Sequence, residues 1–149
     1  MPIGEFCNRE VVIADRDTTA LEAAQLMRQY HVGCLVVVDS VDGPRRPVGV
    51  VTDRDIVIEV VAKQVAPESV KLGEMLASEV STVSTTDGVY DTLRYMREHG
   101  IRRMPVVDAL GQLAGIVTMD DYLTLLSEEM TELSKLIARE QKRETTQRR

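Results

Sequence analysis

The chain has 149 residues, a net charge of −6 and aromatics at only 3% of its length, with no tryptophan and one phenylalanine. Its core must therefore come from Val, Leu, Ile, Met and Ala, and it lacks both the stacking rings that hold single-stranded nucleic acid and the basic face that holds a duplex. Its longest apolar run, residues 34–38, falls far short of the ~20 residues that span a membrane, so no membrane partner is expected.

In chain order, the opening MPIGEFCNRE has no basic stretch leading into an apolar one, so no export signal is expected there. Two cysteines are too few for a disulfide framework, and a reduced, cytoplasmic setting is the expectation. A short strand is predicted over residues 11–14. A helix follows, with Leu21, Ala24 and Met27 at helical spacing. Thr19 and Glu22 have the spacing of a capping box at its start, and Gly33 stands near its end. A wholly apolar strand, 35–38, is of the kind buried on both faces. The polar turn SVDGPRRP leads to a strand at 48–51 and a second helix from Thr52. A polar stretch, 63–69, and a short helix, 70–76, then lead to the same series again. That series comprises a strand at 80–83, a helix with Val89, Leu93 and Met96 ending near Gly100, strands at 104–107 and 113–117, and a helix from Thr118.

This last helix runs on further than its counterpart. Tyr122, Leu126, Met130, Leu133 and Ile137 form one stripe, which suits either packing on its own domain or pairing with a second subunit. The polar, basic end is expected to be a frayed tail.

The chain is thus a duplication. Residues 10–39 lie over 79–108, matching Glu10 with Glu79, Met27 with Met96, Arg28 with Arg97 and Asp39 with Asp108. After the turn, Gly49, Val51, Thr52 and Asp55 match Gly115, Val117, Thr118 and Asp121. The fold class is α/β (α+β), with tandem β-α-β-β-α repeats. One such repeat alone buries too little apolar surface, so two are expected to pack sheet against sheet.

The chemistry is expected at Gly-Val-Val-Thr-Asp-Arg-Asp (49–55) and Gly-Ile-Val-Thr-Met-Asp-Asp (115–121). Each places a strand end against a helix start, where unpaired N–H groups favour phosphate. The threonine hydroxyl can donate to phosphate or ribose, and the aspartate can accept a ribose diol. The glycine is expected to let the strand approach a flat ligand. Thr-x-x-Asp is equally an ordinary cap that needs no ligand.

The doubled Gly-h-h-Thr-x-x-Asp pattern (h, hydrophobic), with Lys-Leu-Gly-Glu-Met (71–75) and Gly-Ile-Arg-Arg-Met-Pro-Val-Val-Asp (100–108), resembles a pair of CBS (cystathionine β-synthase) domains, the arrangement called a Bateman module. The resemblance implies repeats at 6–64 and 70–125; beyond it, helical pattern and composition point to a helical extension at 126–141 and a disordered tail at 142–149. It implies a pseudo-twofold pair that binds an adenosine ligand between the repeats. AMP, ADP or ATP is expected, with S-adenosylmethionine or NAD(H) possible. Thr52, Asp55, Thr118 and Asp121 would then hold ribose and phosphate. Val51, Val117, Met104 and Pro105 would sandwich the base, and Ser84 would add a polar contact.

Arg102 and Arg103, which align with Gly33 and Cys34 of repeat 1, suit phosphate and suggest unequal sites. The resemblance further implies a homodimer regulating a separate protein. No catalytic constellation is present in the sequence, so an enzyme is not expected. The alternatives are a ligand-free dimerisation scaffold and a metal or thiol stress protein using Cys7, His31 and Cys34, although His-x-x-Cys plus one cysteine is a thin ligand set.

Overall fold

The computed structural model describes residues 1–76 and 79–148. It forms two compact units, Met1–Val117 and Thr118–Arg149. Within the first unit, β1 (Ile13–Ala14), β2 (Cys34–Val38) and β3 (Pro47–Thr52) make one sheet in that order, with β1 parallel and β3 antiparallel to β2. Repeat 2 makes a second sheet from β4 (Val83–Ser84), β5 (Arg103–Val107) and β6 (Leu113–Thr118), with β4 parallel to β5. The predicted β-α-β-β-α order is present in both repeats. The first strand of each is shorter than expected, two residues in place of four.

The apolar middle strands do what their composition demands: Leu35 to Val38 and Met104 to Val106 are buried. Two clusters result among the described residues. One lies beneath α2 (Ala20–Tyr30), joining Ala14, Ala23, Met27, Leu35, Val37, Val51 and Leu72. The other joins the repeats, packing Val36 and Val38 against Ile116.

Thr19 caps α2 as predicted, its hydroxyl accepting the Glu22 N–H at 3.1 Å. The buried face is Ala20, Ala23 and Met27, one position off the predicted Leu21–Ala24 line, and Leu21 is exposed. In α5 (Val89–His99) the buried face is Val89, Thr92 and Met96. Thr92 is tolerated there because its hydroxyl donates to the Gly88 carbonyl at 2.8 Å. The end of α2 also needs correction: the left-handed residue is His31 (φ 54°), the counterpart of Gly100 (φ 64°) in repeat 2, and Gly33 has no such role.

The repeats exchange their leading segments. α1 (Ile3–Phe6) docks on repeat 2, where Ile3 and Gly4 donate to the Asp87 and Thr85 carbonyls at 2.8 and 2.9 Å. α4 (Leu72–Met75) docks on repeat 1 in the same way, Leu72 and Gly73 donating to Thr18 and Arg16 at 2.8 and 3.0 Å. Ile3 and Leu72 are both fully buried.

After Thr52 the chain forms α3 (Asp53–Ile56) and a single π-helical turn, Val57–Val61. The second unit is α6 (Met119–Gln147), a 29-residue helix. It extends through residues 142–147, where a disordered tail is expected from composition. Good helix formers and the Arg148–Glu144 pair carry it that far. Residue 149 lies outside the described residues.

Candidate functional site

Both Thr-x-x-Asp motifs form complete capping boxes. Thr52 N–H donates to Asp55 Oδ2 at 2.9 Å, and Asp55 N–H donates to Thr52 Oγ1 at 3.1 Å. The second pair, Thr118 and Asp121, repeats this at the start of α6, at 2.8 and 3.3 Å. All four residues are half-buried. Such a cap is worth ~0.5–2 kcal/mol and accounts for both residue types without a ligand. It does not consume them. The threonine hydroxyl still has its proton to donate, and each carboxylate is engaged through Oδ2 only in the cap, so capping and ribose binding are compatible.

The motif glycines have a structural cause. A Cβ on Gly49 would sit 2.4 Å from Leu76 Cδ2, and one on Gly115 would sit 2.6 Å from the Asn8 carbonyl oxygen and 2.7 Å from Cys7 Sγ. The leading segments therefore cross directly over these strands. Close approach is needed, as the sequence suggested, but by the protein's own chain in place of a flat ligand.

A cleft of about 270 Å³ opens between the repeats, lined by Gly49, Val50, Glu79, Val80, Ser81, Ile101, Arg103 and Pro105. It lies near the lower end of the ~300–1,000 Å³ typical of small-molecule sites. Its chemistry is mixed: Val50, Val80, Ile101 and Pro105 offer apolar walls, and Glu79, Ser81 and Arg103 offer a carboxylate, a hydroxyl and a guanidinium. Arg103 also lies close enough to Cys34 to act on its thiol. Burial pushes the Cys34 pKa up, Arg103 pulls it down, and Asp53 adds to the rise.

Of the residues singled out from sequence, Arg103 and Pro105 line this cleft. Val51 does not, because alternation along β3 turns Val50 to the cleft and Val51 into the core, where it is 1% exposed. Val117 and Met104 are likewise core residues. Met104 instead borders a hollow of about 250 Å³ with Thr82, Asp87, Asp91, Thr92 and Tyr95. Arg102 alternates away from Arg103 and is exposed. Ser84 sits in a tight turn, its N–H donating to Asp87 Oδ2 at 2.9 Å and its hydroxyl 3.1 Å from that of Thr86. Sequence reasoning missed Glu79, Val80, Ser81 and Ile101. They lie in the irregular approaches to β4 and β5, where no periodicity marks which side chain faces in.

Cys7 and Cys34 are half-buried thiols. Cys7 Sγ lies 3.9 Å from the Gly4 carbonyl. Among the described residues no three His, Cys, Asp or Glu side chains gather as metal ligands would. Among the same residues no helix is long and apolar enough to cross a membrane.

Two sheets from a duplicated β-α-β-β-α unit, with a mixed cleft between the copies, define a tandem-repeat module. The CBS domain family model matches residues 3–62 and 72–128, and the chain belongs to that family. Hypoxic response protein 1 of Mycobacterium tuberculosis is 33% identical over 124 residues, which are 83% of this chain and 84% of that protein. An uncharacterized protein of Methanopyrus kandleri is 38% identical over 121 residues, which are 81% of this chain but only 60% of that protein. Two solved structures superpose closely. Hypoxic Response Protein I with two coordinated zinc ions gives a TM-score of 0.72 at 31% identity, covering 83% of this chain and 98% of that one. A CBS domain protein from Pyrobaculum aerophilum complexed with AMP gives 0.72 at 30%, covering 81% and 89%.

Proposed function

We propose that this chain is a regulatory module that binds an adenine nucleotide in the cleft of Gly49, Val50, Glu79, Val80, Ser81, Ile101, Arg103 and Pro105, and acts on a separate protein. The observation that carries it is Arg103. A half-buried guanidinium at the edge of an apolar slot suits a ligand with a flat apolar end and an anionic end. The purine stacks between Val50, Val80, Ile101 and Pro105, and the phosphate meets Arg103. Thr52 and Asp55 do not themselves line the cleft but follow Gly49 and Val50 at the end of β3, and the ribose is assigned to the second oxygen of Asp55 and the Thr52 hydroxyl. The similar protein solved with AMP supports this ligand class, as does the cytosolic domain of the Mg2+ channel MgtE solved with ATP (TM-score 0.70, 26% identity). The work of such a module is conformational: ligand touching both repeats favours one packing of them, which a partner protein reads. The molecule is read as a regulator, not an enzyme, in keeping with its family.

Thermal melting with AMP, ADP, ATP, adenosine, NADH and S-adenosylmethionine tests this. A ligand at a hundred times its dissociation constant adds ~2.7 kcal/mol, or roughly 5–10 °C here. Stabilisation by the phosphate-bearing adenine nucleotides, and much less by adenosine, is expected. A flat response across the panel overturns the reading in favour of a ligand-free scaffold, and equal effects of adenosine and AMP remove Arg103 from it.

A further inference from the structure

The second unit poses a separate problem. Leu123, Leu126, Met130, Leu133 and Ile137 follow one another along α6 in alternating steps of three and four, the seam of a coiled coil. All five are exposed, Met130 at 71% and Leu133 at 60%. A long helix in water draws most of its stability from packing its apolar face, so this seam lacks the contact its pattern is built for. The charges identify the occupant. The first half of α6 carries Asp120, Asp121, Glu128, Glu129 and Glu132 and no basic residue. The second half carries Lys135, Arg139, Lys142 and Arg143 against Glu140 and Glu144 alone. A copy laid parallel sets acid on acid and base on base. A copy laid antiparallel sets each acidic half along a basic half.

We propose that α6 pairs antiparallel with α6 of a second copy of this chain. In the register that brings each acidic half level with a basic half, Met130 faces Leu133 and Leu126 faces Ile137 of the second copy, with Leu123 level with Glu140 at the margin. Glu128 is then level with Lys135, and Asp121 with Lys142.

Sedimentation velocity on the full chain tests this with the double variant Met130→Glu, Leu133→Glu. Both positions are exposed, so the repeats should keep their melting temperature while the particle mass halves. A wild-type monomer, or a mass unchanged in the variant, overturns the pairing. Salt reads the orientation: between about 0.02 and 1 M the Debye length falls from over 20 Å to ~3 Å. Antiparallel pairing then weakens at least severalfold, whereas association that tightens with salt overturns the orientation. Spin labels at Thr124, in a Cys7→Ser, Cys34→Ser background, give a distance independent of stability. Labels on the two copies should stand apart by an axial offset of ~22 Å, fifteen residues at 1.5 Å each. Labels side by side overturn it.

Discussion

The two repeats present the same strand to their neighbour and obtain different results. At β3, Val50 borders an open cleft whose far wall is Val80, Arg103 and Pro105 of repeat 2. Val50 corresponds to Ile116 on β6. The residues that correspond to Val80, Arg103 and Pro105 are Val11, Cys34 and Val36, which belong to or pack on the cluster that holds Ile116, itself 7% exposed. Asn8 further fastens that strand, exchanging backbone hydrogen bonds of 2.9 Å with Ile116 in both directions. A small thiol lets the walls close, whereas a guanidinium must keep access to water or an anion and holds them apart. The Cys/Arg difference, together with the Pro105/Val36 change and the Asn8 pairing, thus accompanies one open face and one filled one in a duplicated fold.

The largest test of that contrast is at the guanidinium. Arg103→Met should weaken AMP binding about 10- to 100-fold, the loss of a charge-assisted bond of ~1.5–3 kcal/mol, as read by titration calorimetry. Arg102→Met should change it less than about threefold, and equal losses would mean that the phosphate sits elsewhere. The glycines come next. Gly115→Ala drives a Cβ into the Asn8 backbone and should cost ~1–3 kcal/mol. Gly49→Ala meets only the movable end of Leu76 and should cost less. Denaturant melts rank the two, and the reverse order would contradict the strand crossing described here.

Smaller again is His31→Gly, which relieves a non-glycine residue at φ 54° and should stabilise by up to ~1 kcal/mol. The same change makes repeat 1 end its helix as repeat 2 does. Two titrations give the finest readings. Cys34 should alkylate slowly at pH 8, and Arg103→Met should slow it further, because removing the cation that lowers the thiol pKa shrinks the thiolate fraction. Tyr122 is pushed up to about 12, first by burial and then by the Asp121 carboxylate. Its folded pKa lies above the ordinary 10, so its contribution to stability is complete below pH 10 and lost as pH rises towards 12. Absorbance titration should show one tyrosinate step near pH 12 that vanishes in Tyr122→Phe.

Element order, the duplication and both strand-to-helix junctions were legible without coordinates, because each depends on neighbours within a few residues. Thr52 and Thr118 announced their caps in this way, and the run Leu35–Val38 announced a buried strand. The site was legible only in part. Arg103 and Pro105 stand out by chemistry, but the motif alone points to Val51, whereas Val50 lines the cleft; one position along a strand is the opposite face.

The linear chain therefore settled what is repeated, where each element starts and which residue types fill the core, all consequences of local propensity and hydrophobic period. Tertiary packing alone decided that the motif glycines make room for crossing segments, that His31 takes the left-handed turn, and that Glu79, Ser81 and Ile101 join Arg103 in lining a cleft with Val50. Those outcomes depend on contacts between segments far apart in the chain, which no local pattern encodes.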